Sequence, residues 1–352
     1  MAGLHRRRVL LGMGVAGASL CVPVLRARGD DKPLSVSTTF GPAGAIYAAS
    51  MVADVLGFAK QQRLDLKLEI TDGGAKSRQV LAAGEAMFAH GDSSHPLQIS
   101  NRGKPARMLY VTETVCSYAN MVVRKDLYDQ GITTPEKLAQ WKRPGGAKPI
   151  VAATAIGSGT WMYGSFIFES LGAGDNVNWV AGGGTSTMLG GLQSKQFDAI
   201  MALPAWQYDA ESHGWGKAIY DVLDKAAWTK AFGGPLPTTA IYALKTTIDK
   251  EPDATQAYVN AIYQSMQWMK ANSSEEIFKR IGPKYLQDFD PAAAKREFDY
   301  YKAAWHYPGT TTEAEYARGA RVWFRDGTDI KPIAFADAVD ARFIDNARRK
   351  FG

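Results

Sequence analysis

The stretch "VAATAIGSGTWMYGS", residues 151–165, runs from a short apolar segment through two glycines and hydroxylated residues into aromatics at helical spacing. A Gly-rich turn between strand and helix leaves backbone N–H groups unpaired at the positive end of the helix dipole, which suits an anion. Glycines and serines also make plain tight connections, and the stretch alone leaves both readings open. Signs of catalysis are poor. Gly159 directly follows Ser158, whereas a nucleophile elbow needs Gly-x-Ser-x-Gly. "GGGTST" lacks the lysine of a phosphate loop. His90, His95, His213 and His306 show no metal-ligand spacing and no cysteine pair joins them, so each reads as a surface or hydrogen-bonded histidine. These residues predict no enzyme, no metal and no cofactor.

The whole chain narrows the partners. Its 352 residues, 46% hydrophobic and 22% charged, are ordinary globular composition and long enough for two lobes with cores of their own. The formal charge of +6 falls to +1 without Arg6, Arg7, Arg8, Arg26 and Arg28, which share the first 28 residues with no Asp or Glu. No basic stripe is left to recruit nucleic acid. "HRRR", then "VLLGMGVAGASLCVPVL" (Val9 to Leu25), then "RARGDDKP" read as an export signal over residues 1–28. At 17 residues, with Pro23 inside, the apolar run is short for a bilayer anchor. "RRRVLL" resembles a twin-arginine signal in which His5 replaces the usual Ser or Thr, and the general export route stays open. Lipidation at Cys21 is disfavoured by the bulky Leu20 before it. With Cys21 removed, only Cys116 is left, so no disulfide is expected and the mature chain should be a soluble periplasmic protein held by its core.

The elements that must position these residues alternate. "LSVSTTF", "DLKLEI", "AMFAHG" and "ARMLYVTE" read as strands, with helices "AIYAASMVADVLGFAKQQ", "AKSRQVLAAG" and "HPLQISNRG" between them. From Thr134 the grammar restarts: "PIVAAT", "VNWVAG" and "DAIMAL" alternate with "TWMYGSFIFESLG", "STMLGGLQSK" and "PAWQYDAESHG". Such alternation predicts an α/β fold with two mostly parallel sheets flanked by helices. The last third is mostly helical and is expected to pack back on the first lobe. Ligands of such sheets bind beyond the carboxyl ends of strands, so two lobes facing one another define a cleft.

The order of "DVLGFAKQQRLDLKLEITDGGAKSRQVLAAGEAMFAHGD", "NRGKPARMLYV", "VVRKDL", "TTPEKLAQWKR", "IVAATAIGSGTWMYGSFIFESLG", "LQSKQFDAIMALPAW" and "IKPIAFADAVDARFIDNA" resembles the periplasmic substrate-binding proteins of ABC importers, in the nitrate/sulfonate/taurine and thiamine-pyrimidine group. The resemblance covers nearly the whole mature chain. It implies a hinge-closing, two-lobed protein of type II topology with crossovers near "YANMVVRKDL" and "TTAIYALKT". Lobe I would then comprise residues 30–122 and 242–352, and lobe II residues 123–241. Before the third strand the family often has Gly-x-x-Asp; here Gly84 is followed by Met87, while the matching Asp198 is present in the second half.

The resemblance also implies ligand contacts at strand-to-helix turns. In lobe I these are Thr39, Phe40 and Gly41; Asp92, Ser93 and Ser94, of which Asp92 or Ser93 could simply cap a helix; and Thr112 with Glu113. In lobe II they are Ser158, Gly159, Thr160 and Trp161; Gly184, Thr185 and Ser186; and Trp206, either an aromatic wall or an ordinary core tryptophan. Hydroxyl donors beside Phe40, Tyr47, Trp161, Tyr163 and Trp206 point to a small organic anion or a flat aromatic or heteroaromatic solute. The partners implied are that solute and an ABC permease with its ATPase, met by a monomer. Two alternatives stand beside this. One is an enzyme of the pyrimidine-synthase type, whose Cys-rich iron motif this chain lacks. The other is a ligand sensor that transports nothing.

Overall fold

The computed structural model describes residues 32–352 apart from Asp288, so the export signal read over residues 1–28 lies outside the described residues. Ten strands carry the architecture: β1 (Leu34–Phe40), β2 (Leu64–Ile70), β3 (Phe88–Asp92), β4 (Ala106–Glu113), β5 (Asn120–Arg124), β6 (Ile150–Ala153), β7 (Asn178–Ala181), β8 (Ala199–Ala202), β9 (Gly216–Tyr220) and β10 (Thr239–Leu244). They form two five-stranded sheets, in the orders β2-β1-β3-β10-β4 and β7-β6-β8-β5-β9. Both are parallel except for one strand exchanged in sequence: β10 runs antiparallel between β3 and β4, and β5 antiparallel between β8 and β9. The two segments expected as crossovers are therefore strands themselves. The chain passes from the first sheet to the second between Glu113 and Asn120 and returns between Tyr220 and Thr239.

Local sequence accounts for the elements. β3, β5 and β8 are buried along their whole length, as interior strands covered on both faces must be. β2 is an edge strand that turns Asp65, Lys67 and Glu69 outward, charges that discourage further pairing. The long helix expected over "AIYAASMVADVLGFAKQQ" is interrupted at Gly57, whose φ of 71° ends helix Ala48–Val55 before the turn Phe58–Gln61. Asp198, at the start of β8, accepts the Ile150 N–H (2.8 Å) and pairs with Arg124 and Arg143 (both 3.3 Å). It ties the amino ends of strands together, away from the ends where a ligand would sit.

Residues 33–352 form one compact unit. One apolar cluster runs from Phe40 and Phe88 through Met121 and Tyr163 to Trp228 and Trp323, so the two sheets share a core. The helical last third packs Pro252–Ala271 against Ala48–Val55, beside the first sheet, but it also grips the second. From helix Pro291–Ala304, Arg296 lies over the Tyr208 ring (4.2 Å), and the Tyr300 hydroxyl reaches Asp221 (2.7 Å) and Asn120 (3.0 Å). Just past helix Glu313–Trp323, Arg325 donates to Met162 O (2.7 Å) and Ser165 Oγ (2.6 Å), pairs with Glu169, and sits over the Trp161 ring. Arg325→Ala removes two charge-assisted bonds and is expected to destabilise the protein by about 1–3 kcal/mol in urea unfolding. The half-exposed Glu169 contributes little of that. Among the described residues no helix is long and apolar enough to cross a membrane.

Candidate functional site

The carboxyl ends of β1, β3 and β4 bring Thr39, Asp92 and Glu113 to one edge of the first sheet. Because β10 is antiparallel, its amino end lies there too, with Thr239 in register with both Asp92 and Glu113. Thr39, Ser93, Ser94, Glu113, Ser117, Thr238 and Thr239 have no exposed surface. Polar residues buried at this density must find partners. Asp92 does: its Oδ1 accepts the Ser94 N–H (2.6 Å), and its Oδ2 accepts the Tyr118 hydroxyl (2.6 Å). Asp92, not Ser93, thus serves the start of helix Ser94–Asn101.

Glu113 is half satisfied. Its Oε2 accepts from Ser117 (2.9 Å) and Thr239 (3.2 Å), while Oε1 has no partner. Burial pushes its carboxyl up to about 8, against smaller opposing effects from those two hydroxyls. The Thr39 and Ser93 hydroxyls are likewise buried without partners. So are the Tyr301 hydroxyl and, on the opposing side, the Tyr163 hydroxyl and Trp323 indole N–H. Tyr163 and Trp323 are near enough to act on one another but make no hydrogen bond of proper geometry, and the same holds for Tyr301 and Ser117. Burial, and then the charges of Asp92 or Glu113, raise the hydroxyl pKa of Tyr47, Tyr118 and Tyr163. The partly buried Arg78 guanidinium, in helix Gly74–Ala83, interacts with Asp92, His95 and Tyr242 at this edge. Two histidines nearby are neutral by burial. His90, held by Ser50 (3.1 Å) and Thr112 (3.0 Å), is pushed down to about 3; His95, against the Tyr242 hydroxyl (3.0 Å), to about 4.

The Gly-rich turn of the second half faces this edge in an unexpected way. Ser158 caps helix Gly159–Ser170, accepting from the Trp161 N–H (3.4 Å), and its hydroxyl donates to Ala155 O (2.6 Å). Thr160 is tied to Thr154 (2.8 Å). A Cβ on Gly159 would overlap Asp92 Oδ2 and lie 2.9 Å from the Tyr118 ring. The positive end of this helix is thus met by the chain's own carboxylate, not left open for a foreign anion.

The other expected contacts divide. Phe40 stacks on Tyr47 (5.0 Å), and Gly41 lets the Tyr47 hydroxyl approach, since a Cβ there would stand 3.0 Å from it. Thr112 spends its hydroxyl on His90 and Thr239 O. Trp161 lies under Arg325. Gly184, Thr185 and Ser186 are exposed, so that turn does not join the buried polar edge. Trp206 is partly buried against the smaller apolar cluster of the second sheet. Tyr118, Tyr301 and Trp323 carry no sequence signal for this edge; Tyr301 is one of a tyrosine pair in "DYYKAAW", and only the fold brings it near Glu113. A separate crevice of about 440 Å³ is lined by Thr134, Ile167, Tyr220 and the Glu136–Lys230 pair. Its polar groups are mutually satisfied, so it does not compete with the strand-end edge. Among the described residues no group of three or more His, Cys, Asp or Glu side chains is placed to hold a metal ion.

Two five-stranded α/β sheets, each with one strand exchanged in sequence, define a fold of the two-lobed periplasmic-binding-protein type. The chain belongs to the NMT1-like family, whose model matches residues 30–281. In structure it is similar to a protein of Bordetella bronchiseptica RB50 (TM-score 0.73, 24% identity, 90% of this chain and 98% of that one). It is also similar to the putative periplasmic sulfonate-binding protein SsuA of Methylobacillus flagellatus KT (0.68, 15%, 91% and 95%) and the periplasmic nitrate-binding protein NrtA of Synechocystis PCC 6803 (0.68, 14%, 91% and 89%). A desulfurization enzyme, DSZB, shares the fold as well (0.62, 14%, 91% and 100%). At these identities the likeness is one of fold. No curated protein matches the chain in sequence.

Proposed function

We propose that this chain is the extracytoplasmic solute-binding protein of an ABC importer, capturing a small organic solute between its two sheets and delivering it to a permease. The observation that carries the reading is the set of buried, unpartnered polar atoms at the strand ends: Thr39 Oγ1, Ser93 Oγ and Glu113 Oε1. An unpaired buried polar group costs about 1–3 kcal/mol, and a bound solute that pairs with several of them recovers that energy. The basic and apolar amino terminus supports export to the periplasm, and the low residual charge fits a soluble monomer with no nucleic-acid partner. Thr39, Phe40, Gly41, Asp92, Ser93, Gly159 and Glu113 are the contacts we carry forward.

Because an enzyme shares the fold, catalysis is the second reading. The described cysteine does not favour it: Cys116 is fully buried and burial pushes its thiol up, the opposite of an activated nucleophile. Mass spectrometry of solute released from the purified protein, with thermal-shift screening of sulfonates, carboxylates, pyrimidines, amines and nitrate, tests capture. A stoichiometric unmodified solute is expected. A protein that releases none and is stabilised by none is not a capture protein.

A further inference from the structure

The described chain passes between the two sheets twice, from Glu113 to Asn120 and from Tyr220 to Thr239, and any swing of one sheet against the other must turn about those two passages. One side chain reaches both. Tyr300, buried in helix Pro291–Ala304, sets its hydroxyl 3.0 Å from Oδ1 of Asn120, the first residue of β5, and 2.7 Å from Oδ1 of Asp221, just past β9. Burial, then the Asp221 charge, raise the pKa of that hydroxyl, so it keeps its proton and donates it to this pair. The same two acceptors hold the backbone of the second passage. Asn120 Oδ1 takes the Val222 N–H (3.0 Å), and Asp221 Oδ1 takes the Leu223 N–H (2.9 Å).

The helix that carries Tyr300 is fixed to the first sheet. Glu297 Oε1 accepts the Ala45 N–H (3.4 Å), Tyr301 is fully buried near Glu113, Trp305 bridges the backbone of Glu113, and the His306 N–H donates to Thr112 O (2.7 Å). Residues 297 and 301, one turn apart, serve that side; residues 296 and 300, also one turn apart, serve the second sheet. The second side is held by side-chain tips alone: the exposed Arg296 over the half-buried Tyr208 ring (4.2 Å), and the one hydroxyl of Tyr300. When these part, Asn120 and Asp221 keep their backbone donors and water takes the guanidinium, so release strands no acceptor. Parting on the first side would break a backbone pairing and open the core. We propose that helix Pro291–Ala304 is a hinge clamp that travels with the first sheet, and that release of Tyr300 from Asn120 and Asp221, with Arg296 from Tyr208, frees the second sheet to swing away. The clamp acts on the solute-free protein and goes beyond the capture reading.

Spin labels at Asp72→Cys and Ser186→Cys, exposed positions that follow the edge strands β2 and β7, report the separation of the two sheets by pulsed dipolar spectroscopy on the solute-free protein. For Tyr300→Phe the expected result is a second population at longer distance, with the open-to-closed ratio raised about tenfold, the worth of one hydrogen bond to a charged group. Arg296→Ala, at an exposed position outside the core, should raise the ratio about two- to fivefold, and it decides the matter if Tyr300→Phe folds poorly. Tyr110→Phe is the reference. It deletes a buried hydroxyl that donates to Tyr307 O (2.9 Å) on the first sheet's side, where Gln267 serves the same oxygen, and it should leave the distances unchanged. Distances in Tyr300→Phe and Arg296→Ala that match the unaltered protein overturn the clamp. Equal opening in Tyr110→Phe overturns it too, because it marks general loosening. Neither result touches capture, which stands or falls on the solute released from the purified protein.

Discussion

Gly159→Ala should weaken solute binding at least tenfold, while Gly184→Ala leaves it within twofold. Both glycines start a helix in the second half, and both substitutions add one methyl group. At Gly159 the new carbon overlaps Asp92 Oδ2 and crowds the Tyr118 ring, so the two sheets cannot close to the separation at which Asp92 meets the helix end. At Gly184 nothing lies within 4 Å. Overpacking of this kind typically costs about 1–3 kcal/mol, and here it falls on the closed arrangement. Titration with the solute recovered from the protein gives the affinities, and small-angle scattering should show a larger radius of gyration for the first variant alone. Equal affinities in both variants would remove Gly159 and Asp92 from the closing surface.

The second large effect is on stability and requires no ligand. Between pH 6.5 and 8 the empty protein should lose about 2 kcal/mol, at close to 1.4 kcal/mol per pH unit. Glu113 keeps its proton in the folded protein up to about 8, whereas an unfolded chain gives it up near 4.5. Over that interval the folded state binds more protons, so rising pH favours unfolding, and above 8 the slope disappears. Glu297, raised to about 7 by burial, adds the same sign in the lower part of the range. His90 and His95, lowered to about 3 and 4, act in the opposite direction below 6.5 and flatten the profile there. Chemical denaturation across pH 5 to 9 measures the curve, and Glu113→Gln should remove most of the fall above pH 6.5. An unaltered slope in that variant would show that Glu113 is not the titrating group.

Much of this molecule was legible in one sequence because it is written locally. Alternation of period two and period 3.6 marks strands and helices, and their repeated order specifies two α/β sheets. Turns such as "TTFG", "HGDSS" and "GSGTW" must lie at strand ends, whatever else happens, because the strands before them end there. Thr134, Asp290 and Thr312 cap their helices, the last in a reciprocal box with Glu315. What the sequence could not show is what meets the helix end at Gly159. "GSGTW" read alone is either an anion cradle or a plain tight turn. Only the tertiary structure brings Asp92, 67 positions earlier, to the end of that helix, and Glu113 to the same edge through an inserted strand from residue 239 onward. Burial then decides which groups carry charge: it neutralises His90, holds the proton on Glu113 and leaves Thr39 and Ser93 without partners. Those are properties of desolvation and of contacts between distant segments, and they exist only once the chain has closed on itself.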